Sequence, residues 1–135
     1  MIKYWNQRRY TAWFNPEYRI EDADYSHADY DERLEHLVEG LRRDIEQNGM
    51  QNPLLVTRKG DKWIIHPGKC RAKALVQLGE THAPAVVVDY NRVGDASSIP
   101  EGCEFLDSVE RVQELFTGDC VVEMSHRWLT VKKLR

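Results

Sequence analysis

The chain has 135 residues, 41% hydrophobic and 30% charged, with a formal net charge of −3; this fits one globular core and excludes a fibrous or disordered chain. A surface built throughout to grip nucleic acid is also excluded, because phosphate neutralisation needs an excess of Lys and Arg; a local basic patch is not. No stretch approaches the roughly 18 apolar residues of a membrane span, and three widely spaced cysteines, Cys70, Cys103 and Cys120, give neither a disulfide framework nor a CxxC metal pair.

Met1-Ile2-Lys3-Tyr4-Trp5 lacks the apolar core of a signal peptide. The expectation is a cytoplasmic protein with reduced thiols and no membrane contact. Residues 1–20 mix rings with arginine: Tyr4, Trp5, Arg8, Arg9, Tyr10, Trp13 and Phe14. This predicts a strand and a loop that cover the core; the alternative is a surface that stacks on a nucleobase or a single strand. Residues 21–32 turn acidic but lack the Gly and terminal Glu of a calcium loop, so a solvated run before a helix is expected. Leu34, Leu37, Val38, Leu41 and Ile45 recur at helical spacing and predict a helix over about 31–48 with one apolar stripe, stopped at Asn48-Gly49.

Pro53 to Arg58 and Lys62 to His66 read as a β-hairpin around Lys59-Gly60-Asp61. Pro67-Gly68 breaks the second strand. A short helix follows from about Lys69 to Leu78, ended by Gly79. The nearly all-apolar Pro84 to Asp89 reads as a central strand, and residues 91–103 as a loop. Asp107 to Phe116 has a helical pattern, and Cys120 to Met124 with Trp128 to Val131 a closing strand pair. Together these predict one α/β (α+β) domain over 1–135, a small mixed sheet with helices.

Strand, tight turn and helix at His66-Pro67-Gly68-Lys69-Cys70-Arg71 form the candidate site. A helix N-terminus offers unpaired N–H groups and a partial positive charge. Gly68 removes a side chain where a ligand must approach the backbone. Arg71 can grip phosphate oxygens in pairs, and Lys69 adds a point charge. The expected ligand is a phosphate, carried on a nucleotide.

The order of motifs extends this. Gly49-Met50-Gln51-Asn52-Pro53 leads into a strand, the hairpin returns to Gly68-Lys69-Cys70-Arg71, and Leu78-Gly79 precedes the Pro84-led strand. Over about residues 34–89 the chain resembles the N-terminal domain of the ParB/sulfiredoxin superfamily. The resemblance implies that fold, and a nucleotide (ATP, ADP or CTP, with Mg²⁺) whose phosphates meet Gly68 and Arg71. Asn52 stands where many members carry Gln and is expected to line the same pocket; His66 is expected at a sugar or phosphate. There are departures. ParB proteins carry an acid associated with nucleotide turnover where this chain has Lys69. Sulfiredoxins carry their reactive Cys two residues before the Arg, whereas Cys70 stands one before Arg71, a turn of about 100° around a helix. A thiol on the first helical turn beside Lys69 and Arg71 still has the setting of a reactive cysteine. Too little chain follows the motif for the DNA-binding and dimerisation domains of a partition protein. The resemblance is to compact stand-alone members from phages and mobile elements, often labelled ParB-like nucleases.

Three functions compete. The first is nucleotide binding, with NTPase or phosphotransferase activity if Asp44, Glu46 or His66 supplies a base. The second is DNA binding or cleavage, with Arg8, Arg9, Arg42 and Arg43 joining Arg58, Lys59, Lys69, Arg71 and Lys73 in one basic face. The third is an interaction protein without chemistry, for which a homodimer is expected.

Overall fold

A strand that is apolar on both faces needs cover above and below. The computed structural model describes residues 8–26, 32–117 and 120–133. It runs β1 (Thr11–Arg19), α1 (Glu32–Asn48), β2 (Leu54–Lys59), β3 (Lys62–Ile65), α2 (Lys69–Gln77), β4 (His82–Asp89), β5 (Glu104–Phe105), α3 (Val109–Leu115), β6 (Cys120–Met124) and β7 (Leu129–Lys133). Five strands form a mixed sheet in the order β3-β2-β4-β1-β5, and β6 pairs with β7 apart from it. β2 runs parallel to β4, from Leu54 opposite Ala85 to Arg58 opposite Asp89; α2 lies in the crossover such a parallel pair requires. The class is mixed α+β, as the sequence implies.

Alternation along β4 builds the two layers. Ala83, Ala85 and Val87 join Leu54, Val56, Ile65, Ala72 and Leu75 on one side, where Ile45 of α1 also packs. Val86 and Val88 join Leu55, Val112, Phe116, Val122 and Leu129 on the other. Thus α1 and α2 cover one face, and α3 with the β6–β7 pair covers the opposite one.

Three expectations change. Residues 11–19 are an interior strand between β4 and β5, not a cover. Tyr10 and Trp13 are buried, so they offer no stacking surface; Tyr4 and Trp5 lie outside the described residues. Residues 91–103 are followed directly by the short strand β5, which pairs with Trp13 and Phe14. The acidic run begins with a 3₁₀ turn at Ile20–Asp22, and Asp24 bridges to Ile64 of β3, so this edge of the sheet is partly covered; residues 27–31 lie outside the described residues.

Tyrosines tie the β6–β7 pair to the sheet. Tyr10 donates its hydroxyl to the Ser125 carbonyl at 2.8 Å, and Tyr90 to the Leu129 carbonyl at 3.1 Å. Burial pushes Tyr10 up to about 12, against the opposing pull of Arg8. Burial, helped by the charge of Asp22, pushes Tyr18 up to about 12. In the unfolded chain both ionise near their ordinary value of 10.0. Between those two values the unfolded state holds fewer protons, so stability falls as pH rises. Urea unfolding followed across this alkaline window should show that loss, and Tyr10→Phe and Tyr18→Phe should each flatten it.

Candidate functional site

The local sequence explains the turn. The His66–Pro67 peptide is cis, and Gly68 has φ 117° and ψ 19°, a region that side-chain-bearing residues avoid. Helix α2 begins at Lys69, and its first internal bond runs from Ala72 N to Gly68 O at 2.9 Å. Gly68 at the N-cap has no side chain to cap this N-terminus. The amides of Lys69, Cys70 and Arg71 therefore precede the helical ladder.

Arg71 lies beneath the turn. A Cβ on Gly68 would stand 3.5 Å from Arg71 Nη2. That nitrogen donates to the Pro53 carbonyl at 2.9 Å, which ties the turn to the start of β2. Arg71 Nε is buried with no hydrogen-bond partner. Burial lowers the Arg71 pKa, and the nearby Cys120 partly opposes the shift. The side chain stays cationic, because a guanidinium does not lose its proton in proteins. Among the described residues no carboxylate pairs with it.

A cleft of about 440 Å³ opens here, and Asn52, His66, Gly68, Lys69, Cys70 and Arg71 all line it. The six residues selected in the sequence for phosphate binding are thus gathered around one space. The opposite walls come from Leu34, Leu37 and Leu41 of α1, and from Phe116, Cys120 and Val131. This revises the expected stripe of α1: Val38 is 2% exposed and Leu37 is 52% exposed. The leucines face the cleft more than the core. Cys120 is the functional candidate that sequence reasoning missed. Asn52 Nδ2 donates weakly to its Sγ at 3.8 Å, and no local motif marks it.

The remaining candidates lie elsewhere. Asp44 accepts from Asn48 and Glu46 lines a different hollow; neither borders the cleft. Arg42 donates to Gln77 at 3.2 Å, and Arg43 pairs with Glu39 at 2.6 Å, both on the α1 side of the sheet. Arg8 reaches the Asp107 carbonyl at 3.4 Å, and Arg9 is bonded through its backbone to His126, both on the α3 side. Arg58 is held by Asp89 and lies 5.2 Å from the centre of the Trp63 ring. The structure does not gather these arginines into one face. Among the described residues no group of His, Cys, Asp and Glu is placed to hold a metal, and no helix is long and apolar enough to cross a membrane.

Among solved structures the chain is similar to sulfiredoxin from Arabidopsis thaliana, with a TM-score of 0.43 and 20% identity, over 53% of this chain and 80% of that one. The sequence matches no family model and no curated protein.

Proposed function

We propose that the cleft binds a nucleotide, with its phosphates on the Gly68–Arg71 turn and its base against the leucines of α1. One observation carries the reading: Arg71 is a half-buried cation with a buried, unmatched Nε–H and no carboxylate partner among the described residues. A buried charge is costly until an opposite charge accepts its hydrogen bonds, and an anion in the adjoining cleft supplies both. The amides that open α2 and the ammonium of Lys69 add donors and positive charge. The ordered resemblance to ParB/sulfiredoxin N-terminal domains points to the same turn.

The lining also favours binding over turnover. It contains no Asp or Glu among the described residues, so it does not fit Mg²⁺, and any such ion would arrive on the phosphates. His66 alone among the proposed bases borders the cleft. The test is isothermal titration with ATP, ADP and CTP, each with and without Mg²⁺. Saturable binding of at least one nucleotide is expected, along with protection of the fold against urea by the same nucleotide. Absence of heat and of protection for all three would overturn the reading.

A further inference from the structure

Charge is unevenly spread along this chain. Residues 1–16 contain Lys3, Arg8 and Arg9 and no Asp or Glu. Residues 125–135 contain Arg127, Lys132, Lys133 and Arg135, again without an acid. In a chain of net charge −3, the acidic excess must lie between these ends. Among the described residues, Arg9 and Tyr10 of the first run lie against the turn that opens the second. Arg9 N donates to the His126 carbonyl at 2.6 Å, and the Tyr10 hydroxyl reaches the Ser125 carbonyl. Arg9 and Arg127 thus belong to one turn region, while Lys132 farther along the ribbon is paired with Glu123 at 3.9 Å.

The turn between β6 and β7 also carries Trp128, 53% exposed. An indole is ordinarily among the most buried side chains. Its exposure does not come from a loose end. Ser125 N donates to the Trp128 carbonyl at 2.9 Å. The amides of Arg127 and Trp128 donate to Ser125 Oγ at 3.3 and 3.2 Å. Leu129 N donates to the Tyr90 hydroxyl at 3.2 Å. These bonds tie the backbone of the turn, which carries the exposed Arg127 next to Trp128 in sequence and is bonded at His126 to the exposed Arg9.

We infer that this turn is a stacking site for single-stranded nucleic acid, with an unpaired base on the Trp128 ring and neighbouring phosphates on Arg9 and Arg127. An exposed ring on a tied turn that also carries two exposed cations matches the π-face and backbone of an open strand. A duplex hides its bases and calls for an element that enters a groove. The site lies on the α3 side of the sheet and uses no residue of the cleft, so it stands whether or not the cleft binds nucleotide.

The test is fluorescence anisotropy with a labelled oligothymidylate of about a dozen nucleotides, compared with the same strand in a duplex. Binding to the single strand at low salt is expected, weakening as salt rises with a slope set by about two phosphate contacts. Trp128→Ala should weaken it by roughly tenfold, and Trp128→Phe should retain most of the affinity, which separates loss of the ring from loss of the fold. Arg9→Gln should lower the salt slope, and Arg43→Gln, on the opposite side of the sheet, should leave the affinity for the strand unchanged. No binding at low salt, wild-type affinity in Trp128→Ala, equal affinity for the duplex, or equal competition by an acidic peptide would each overturn the inference.

Discussion

Arg71→Ala is expected to weaken nucleotide binding by about 100-fold or more in calorimetric titration. That is about 2.7 kcal/mol, within the range for losing a charge-assisted contact in a partly dry site. Stability should respond quite differently. Arg71→Met keeps most of the volume and removes a half-buried cation whose Nε–H has no acceptor. Replacing such a charge with an apolar side chain is often neutral or favourable. Against this, the Pro53 carbonyl loses its donor, which costs about 1–3 kcal/mol if water does not replace it. The terms oppose each other, so urea unfolding of Arg71→Met should differ from wild type by less than about 2 kcal/mol. A protein that loses much more stability, yet binds nucleotide normally, would make Arg71 a structural tie and nothing else.

Trp13→Ala should have the largest effect on folding, a loss of about 3–5 kcal/mol by urea denaturation. Trp13 lies in β1 with Val87 on one neighbouring strand and Phe105 on the other. Its ring meets Trp63 edge to face, with centroids 6.3 Å apart. Deleting the indole leaves a hole between three strands, which the paired backbone cannot close by shifting. Since domains of this kind are stable by about 5–15 kcal/mol, that loss takes a large share of the whole stability. A loss below about 1 kcal/mol would contradict this placement of the ring.

Elements were legible in the sequence where a period and a stop coincide. Helix α1 ends at Asn48-Gly49, and α2 lies between Gly68 and Gly79. The hairpin turns at Gly60, and β4 is apolar throughout. A strand is expected within residues 1–20, but the bounds and interior place of β1 are not, because Asn15, Pro16 and Glu17 interrupt its pattern where its register with β4 shifts. β5 has two residues, too few to show alternation. At the site, the turn could be read because Gly68, Lys69 and Arg71 are close in sequence and their chemistry follows from that spacing. The far wall could not: Phe116, Cys120 and Val131 reach the cleft only through the packing of α3 and β6–β7. Leu34, Leu37 and Leu41 show the limit of periodicity, which marks a face as apolar but does not say what will cover it.

The provenance of the cleft's walls has a consequence for its evolution and for engineering. One wall hangs from the layer above the sheet and the other from the layer beneath it, and only the floor and the α1 wall belong to the recognisable segment. A shortened chain ending before Cys120 would keep every letter of the motif and still lack a boundary on one side. Selectivity can therefore change through substitutions in the C-terminal ribbon alone, at positions where a comparison restricted to the motif would find no difference at all.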